Sequence, residues 1–246
     1  MQLPSLVINV QDEKDCPHNR RYCKNGCENE IRTYEDKRVT YITDLCRKKQ
    51  FKKLLLKESG LTGKAVFETF ENANYDEYNR EMYMFIQEEW NKKRWIYIYS
   101  KVNGNGKSYT ANAIGNMFID LGIKISVNRE IDMAARLKES FSDKSGDSEY
   151  KLMCHFRDVP VLVVQDFGKQ GCSPSSEWWP QKIFDIIDYR CVHEKLTVFT
   201  SNYNYVNEHL VKQRFGINHG LAIQSRLEGS CKVLEMKGPD RRKAIK

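Results

Sequence analysis

The stretch that decides the fold is WIYIYSKVNGNGKSYTANAIGNMF, residues 95–118. Its first six residues are β-prone and mostly apolar, which predicts a buried strand. Residues 107–121 have a helical period, and a glycine-containing loop, NGNGKS at 103–108, separates the two patterns. The apolar residues that share one stripe of this helix are Ala111, Ile114, Phe118 and Leu121. A strand, a glycine loop and a helix in this order are typical of a phosphate-binding site.

The loop and the first turn of its helix have the residues that bind nucleotide phosphates. Gly104 and Gly106 allow successive backbone N–H groups to point at phosphate oxygens. Lys107 supplies a positive charge for the β- and γ-phosphates, and the hydroxyl of Ser108 is a ligand for Mg²⁺. The full pattern has one more glycine, at position 101, where this chain has Lys101. The expected ATP-binding residues are Asn103, Gly104, Asn105, Gly106, Lys107, Ser108 and Tyr109.

The chain after residue 76 alternates strand and helix patterns. VPVLVV at 159–164 is apolar throughout, as is typical of a parallel strand buried on both faces. IKISV at 123–127, KLTVFTS at 195–201 and CKVLEM at 231–236 predict further strands. Helical patterns occupy 47–58, 78–90, 130–141, a short stretch that ends near residue 155, and a stretch from 175 or 176 to 192. The prediction is an α/β fold with a parallel sheet that helices cover on both faces.

Polar residues follow two of these strands, where a phosphate site needs a partner for its metal ion. VLVVQDFG at 161–168 ends in Gln165 and Asp166, although two acidic residues are the usual arrangement. Either Asp166 takes the metal role alone, or the site binds nucleotide better than it hydrolyses it. TVFTSNYN at 197–204 ends in Asn202, whose amide can contact the attacking water or the γ-phosphate.

In this order, the motifs resemble an AAA+ ATPase, and in particular the helicase loaders of the DnaC/DnaI/IstB-like family. The resemblance covers residues 76–246 and rests on NGNGKSYTANAIGN, VLVVQDFG, FDIIDYR, TVFTSNYN and QSRLEGSCKVLEMKGPDRR. It implies an ATPase in which Asp166 and Asn202 are catalytic and Asn202 is the first sensor. It also implies that Arg226 is a finger reaching a neighbouring subunit, and that Arg242, or else Arg241, is the second sensor.

The resemblance implies a function in the initiation of DNA replication. Family members use ATP and single-stranded DNA to deliver the replicative hexameric helicase, and they self-associate through the ATPase domain. Lys101 and Gln165 depart from the usual pattern and predict weak hydrolysis. The alternatives are an IstB-like transposition helper and a binding module that only senses nucleotide; a small-molecule kinase fits the late arginines less well. A phage or bacterial origin is expected.

Four cysteines near the N-terminus form a candidate metal site. Cys16, Cys23, Cys27 and Cys46 lie within 31 residues, and His18 is a spare imidazole. Four thiolates can close a tetrahedral zinc site, which would stabilise a module this small and polar. We expect a cysteine-rich helicase-interaction domain at 1–60, a linker at 61–75 and an ATPase domain at 76–246.

The composition and charge of the chain exclude several classes of protein. Hydrophobic residues make up 40% of the 246 residues, which excludes a wholly disordered chain. The sequence has no apolar run long enough to span a bilayer and no secretory signal, so we expect a cytoplasmic protein without a membrane partner. Residues 1–64 have 14 basic and 9 acidic side chains, a difference of +5 out of the net +7. This basic N-terminus favours contact with nucleic acid or an acidic protein surface.

Overall fold

The computed structural model describes the backbone of residues 29–34, 37–42, 44–90, 95–141, 148–170, 177–205 and 208–243. Within these ranges, side chains are described from residue 51 onward, apart from those of residues 208–210. The chain divides into two compact units, Met1–Lys57 and Glu58–Lys246. The expected domain boundary at residue 60 lies close to this division.

The first unit contains a hairpin and most of a helix. Strands β1 (Asn29–Tyr34) and β2 (Lys37–Ile42) pair antiparallel, and helix α1 (Asp44–Glu58) follows. The helix includes the run 47–58 that the sequence predicts. The hairpin was not predicted, because its polar residues give no clear alternation.

Five parallel strands form the sheet of the second unit, which confirms the predicted sheet. They are β3 (Trp95–Tyr99), β4 (Ile125–Arg129), β5 (Val161–Phe167), β6 (Leu196–Ser201) and β7 (Cys231–Glu235). Their order is β4-β5-β6-β3-β7. Strand β6 therefore lies between β3 and β5, and the carboxyl ends of all three meet at one edge of the sheet, where parallel α/β proteins bind ligands.

Seven helices of the second unit are described. They are α2 (Arg80–Glu89), α3 (Lys107–Asp120), α4 (Glu130–Glu139), α5 (Glu149–Asp158), α6 (Trp178–Val192), α7 (Glu208–Phe215) and α8 (Ile217–Ser230). Short 3-10 helices occupy Gly63–Phe67 and Arg241–Lys243. Helices α2 to α6 follow the predicted pattern, whereas α7 and α8 were not predicted. In the described part of the chain, no helix combines the length and apolar character that crossing a membrane requires.

Helices pack on both faces of the sheet. Leu162 and Val164 of β5 belong to a buried cluster with residues of α4, α5, α6 and α8, including Met133, Phe156 and Ile186. Helix α3 contacts β4, β5 and β6. Because successive side chains of a strand alternate between faces, β5 is buried from both sides and reads as one apolar run.

Residues 59–69 lie along α3. The amide of Val127 in β4 donates to the carbonyl of Ser59 at 2.6 Å. The side-chain amide of Asn116 donates to the carbonyls of Ala65 and Glu68, each at 2.9 Å. Gly60 has φ +82°, and a Cβ there would lie 2.3 Å from the carbonyl oxygen of Val127, so a larger residue would push the segment away from the sheet. Much of the predicted linker is thus hydrogen-bonded to the helix that follows the glycine loop.

Candidate nucleotide-binding site

The glycine loop connects β3 to the first residue of α3. Gly104 and Gly106 both have positive φ, +76° and +114°, a conformation that favours glycine. Asn105 is 1% exposed, and its amide donates to the hydroxyl of Ser100 at 2.8 Å and to the carbonyl of Met236 at 2.9 Å. The buried asparagine fixes the middle of the loop, while the two glycines let the chain turn on either side of it.

Lys107 points back into its own loop. Its ammonium donates to the carbonyl of Val102 at 2.8 Å and to that of Ser100 at 3.2 Å. The residue is 7% exposed, and burial lowers the pKa of its ammonium below the ordinary value. Ser108, next in the chain, is exposed. The loop thus has a buried ammonium group, that of Lys107, beside the exposed Ser108 at the start of a helix. The helix dipole also favours an anion at this place.

The C-terminal segment lies against this loop. The backbone amide of Arg241 donates to the carbonyl of Gly104 at 3.0 Å, and its guanidinium donates to the carbonyl of Asn105 at 3.1 Å. Arg241 also pairs with Asp76 at 2.6 Å. Arg242 pairs with Asp240 at 3.1 Å, and its side chain is 69% exposed. Both arginines therefore lie beside the loop; the preference for Arg242 as second sensor stays a prediction.

Strand β5 is irregular at the residue expected to be catalytic. Its register against β6 shifts between Val164 and Phe167, and Asp166 has φ +60°. A bulge and a left-handed non-glycine residue are both typical of functional sites, where they redirect a side chain. The carboxylate of Asp166 pairs with Lys169 at 2.8 Å, and its backbone amide donates to the hydroxyl of Thr200 at 3.3 Å. Burial lowers the pKa of Lys107, and the charge of Asp166 acts against this effect.

Gln165 faces helix α3. Its amide donates to the side-chain oxygen of Asn112 at 2.7 Å, and the amide of Asn112 donates to the carboxylate of Glu68 at 2.6 Å. Asn112 lies one turn after Ser108 on α3. The position that the usual pattern gives to an acidic residue is therefore occupied by a neutral amide with a buried hydrogen bond.

The other expected residues of the nucleotide site take two positions. The amide of Asn202 donates to the side-chain oxygen of Asn103 at 3.3 Å, so the end of β6 contacts the glycine loop. The hydroxyl of Tyr109 donates to the carbonyl of Thr69 at 2.8 Å. Asn202 and Asn103 thus lie together beside the loop, whereas Tyr109 contacts the segment that lies along α3.

Arg226, the expected finger, lies on helix α8 and contacts helix α6. Its guanidinium donates to the carboxylate of Asp188 at 2.8 Å and lies 5.9 Å from the ring centre of Phe184. The two charged side chains are 38% and 35% exposed. An arginine on a surface of the unit fits contact with a second subunit, and that role stays a prediction.

The expected zinc ligands lie outside the described side chains. Cys16, Cys23, Cys27 and the alternative ligand His18 are not among the described residues, and only the backbone of Cys46 is, in α1. Within the described part of the chain, no group of three or more His, Cys, Asp or Glu side chains could hold a metal ion. Zinc binding by the four cysteines therefore stays a prediction.

Sequence reasoning missed three carboxylates near the site: Glu68, Asp76 and Glu130. Glu68 and Asp76 precede the glycine loop by about 30 residues, and nothing in their spacing indicates that they contact α3 or Arg241. Glu130 resembles an ordinary acidic residue in the first turn of a helix, yet it is 0% exposed. The one signal in the sequence is the position of Glu130, an acidic residue directly after a strand.

A glycine loop with a buried lysine, beside the carboxyl ends of β5 and β6, defines a P-loop nucleotide-binding protein with the AAA+ arrangement of strands. The chain belongs to the family of IstB-like ATP binding proteins, whose model matches residues 43–246. The match confirms the resemblance seen in the sequence.

Curated relatives carry the name replicative helicase loader DnaC. The protein of Buchnera aphidicola (subspecies Baizongia pistaciae) is 26% identical over 141 residues, which are 56% of each chain. The protein of Escherichia coli K12 is 29% identical over 108 residues, 44% of this chain and 42% of the relative. The matched part thus spans about half the length of these relatives.

Solved structures share the fold. DnaI superposes with a TM-score of 0.60 at 19% identity, over 73% of this chain and 96% of DnaI. The DnaC helicase loader superposes with a TM-score of 0.58 at 20% identity, over 72% of this chain and all of that structure. DnaA of Aquifex aeolicus, solved with the ATP analogue AMPPCP, gives 0.58 at 22% identity, over 75% and 54%.

Proposed function

We propose that this chain is an ATPase that loads a replicative DNA helicase onto single-stranded DNA. The observation that carries the proposal is that its curated relatives are named replicative helicase loaders. Membership of an ATP-binding family and the geometry of the glycine loop support the ATP dependence. The first unit, with its basic residues, is the part that we assign to contact with the helicase.

ATP would bind at the glycine loop. The backbone N–H groups around Gly104 and Gly106 would donate to phosphate oxygens, and Lys107 would exchange its bonds to the carbonyls of Ser100 and Val102 for bonds to phosphate oxygens. Asn202 would contact the same phosphates from the end of β6. The exchange stabilises the bound state because a charged phosphate is a stronger acceptor for the ammonium than a neutral carbonyl.

Mg²⁺ fits the oxygen donors near the loop. The exposed hydroxyl of Ser108 and the carboxylate of Asp166 are the kind of hard oxygen ligands that Mg²⁺ prefers. When bound, the ion would neutralise phosphate charge. Asp166 would first have to exchange its pair with Lys169, and Gln165 offers no negative charge. We therefore propose weak hydrolysis, in line with the sequence.

Subunits would associate so that Arg226 reaches the nucleotide of a neighbour. The support is its place on helix α8, where it pairs with Asp188 of α6. An ion pair whose side chains are more than a third exposed is weak, so Arg226 can leave Asp188 at little cost. Either Arg242 or Arg241 would sense the nucleotide within the same subunit.

A zinc ion would stabilise the N-terminal module. The support is the spacing of Cys16, Cys23, Cys27 and Cys46. Freshly purified protein should contain close to one equivalent of zinc. Changing Cys23 and Cys27 together to Ser should remove it, whereas Cys154→Ser, in the ATPase unit, should not. Metal analysis that finds no zinc in the unchanged protein contradicts the site.

The decisive experiment is co-purification with a replicative helicase from the same cell. The full chain should retain the helicase, and ATP with single-stranded DNA should change the amount retained. The matched control is Lys107→Ala, which should bind helicase but lose the response to ATP. A transposase, tested as a second bait, separates the alternative function. Retention of the transposase but not of the helicase would overturn the proposal.

A further inference from the structure

Glu130 is a carboxylate that the fold buries completely. It is the first residue of α4, directly after β4, and it is 0% exposed. Acidic side chains are rarely buried to this extent unless polar partners surround them, because removal of a charge from water is costly. The partners of Glu130 therefore indicate what the residue does.

Three N–H groups from two other segments converge on this carboxylate. One oxygen accepts from the backbone amides of Gly168 at 2.7 Å and Gln170 at 3.2 Å. The other accepts from the indole of Trp179, in the first turn of α6, at 2.9 Å. Gly168 has φ +85°, so the chain after β5 turns its amides toward one point. Such a turn is an anion-binding nest, and here a side chain of the same protein fills it.

The turn that Glu130 holds begins at Asp166. The amide of Lys169 donates to the carbonyl of Asp166 at 3.0 Å, and its ammonium pairs with the carboxylate of Asp166 at 2.8 Å. Asp166 has φ +60°, a conformation that costs energy for a non-glycine residue and persists only where neighbours enforce it. Glu130 fixes the far end of the same turn.

We propose that Glu130 is a positioning residue for ATP hydrolysis: it holds the turn 168–170 and thereby sets the direction of the Asp166 carboxylate. This inference rests on the proposed ATPase function. Glu130 acts through the turn and through Asp166, and its contacts go to backbone amides and an indole. The bulge at the end of β5 redirects the chain at Asp166, and the hydrogen bonds of Glu130 hold the turn that follows.

The amide variant separates this role from a structural one. Burial raises the pKa of Glu130 to about 7, because the charged form loses its hydration. Glu130→Gln keeps the shape and removes that cost, so the fold should survive at neutral pH. Its amide nitrogen, however, can no longer accept a bond from one of the converging donors. The turn should loosen while the core stays packed.

The test compares Glu130→Gln with Asp132→Asn in the full-length chain. Asp132 lies on the same helix, is half-exposed and pairs with Arg129. In Glu130→Gln, kcat should fall at least about tenfold, because small misplacements of a catalytic group cost up to about 10²-fold. The Kd for a fluorescent ATP analogue should change little, and the amides of 168–170 should exchange hydrogen faster. Asp132→Asn should match the unchanged protein in all three measurements.

Unchanged kcat in folded Glu130→Gln overturns the proposal, and so does unchanged amide exchange at 168–170. If Glu130→Gln does not fold, Glu130→Asp replaces it: the charge is kept and the reach is shortened by one methylene. Unchanged kcat in Glu130→Asp then overturns the proposal in the same way. If the unchanged protein hydrolyses no ATP, the proposed function fails. The comparison of amide exchange at 168–170 between Glu130→Gln and the unchanged protein then decides whether Glu130 holds the turn.

Discussion

The glycine loop and the surface of helices α6 and α8 hold their cations in opposite ways. Lys107 in the loop is 7% exposed and donates to two backbone carbonyls. The side chain of Arg226 on α8 is 38% exposed and pairs with one carboxylate, that of Asp188, which is 35% exposed. A buried group with fixed partners is preorganised for a ligand in its own subunit. A group held only by a surface ion pair can be released to act elsewhere.

The largest effect is expected from the removal of Arg226, the more exposed cation of this comparison. Arg226→Ala should leave ATP affinity of the single subunit nearly unchanged and remove DNA-stimulated hydrolysis. Arginine fingers contribute about 10³–10⁵-fold in rate in other NTPases, and we expect the lower end because Gln165 already slows this site. Mixing with Lys107→Ala should restore part of the activity. Arg226 of the Lys107→Ala subunit can reach the nucleotide at the intact glycine loop of an Arg226→Ala subunit. No restoration in a self-associated mixture would mean that Arg226 acts within its own subunit or not at all.

The second prediction tests Lys107, the buried cation of the comparison. Lys107→Ala should weaken ATP binding on the order of 10- to 100-fold, the value of one charge-assisted hydrogen bond of about 1.5–3 kcal/mol. Titration of a fluorescent ATP analogue measures the change, and Lys101→Ala, on an exposed residue of the same loop, is the control. Equal affinity in the Lys107 variant and the unchanged protein would contradict the assignment of the loop.

The third prediction concerns the neutral residue at the end of β5. Gln165→Asp restores a negative charge next to Asn112, which lies one turn after Ser108 on α3, and should raise the hydrolysis rate by about tenfold, equivalent to about 1.4 kcal/mol of transition-state stabilisation. The same change removes the bond to Asn112, so a stability loss of about 1 kcal/mol is expected. An unchanged rate with intact binding would mean that Asp166 already suffices or that another step limits turnover.

The last prediction is a pH dependence of stability. Burial raises the pKa of Glu130 from 4.5 to about 7, so between these values the folded chain binds a proton that the unfolded chain has released. Stability should therefore fall as pH rises through this window, by at most about 1.4 kcal/mol per pH unit, and then level off. The phenol of Tyr97, which interacts with Glu130, stays neutral in this window, because burial raises its pKa.

Urea unfolding across this pH range measures the effect. Glu130→Gln should be less pH-dependent than the unchanged protein, while Asp132→Asn, which alters a half-exposed carboxylate of the same helix, should keep the full slope. Identical slopes in the unchanged protein and in Glu130→Gln would show that Glu130 does not titrate in this window.

Much of the second unit could be predicted because its signals are local. The apolar run at 159–164 and the period of 107–121 each depend on neighbours a few residues away. Helices α7 and α8 escaped prediction, since their apolar residues are sparse and α8 contains Gly220 and Gly229. A Cβ at Gly220 would lie 3.0 Å from the carbonyl oxygen of Val211 in α7, a close approach between elements that no local pattern reveals.

The sequence by itself determined the parallel sheet, the glycine loop with Lys107, and the place of Asp166 after a buried strand. Short-range order suffices for these, because a strand, a turn and a helix each form from adjacent residues. Only the tertiary structure decided that Gln165 bonds to Asn112, that Arg241 reaches Asp76, and that Glu130 holds the turn after Asp166. Those contacts join residues far apart in the chain. The sheet order brings them together, and no spacing in the sequence encodes it.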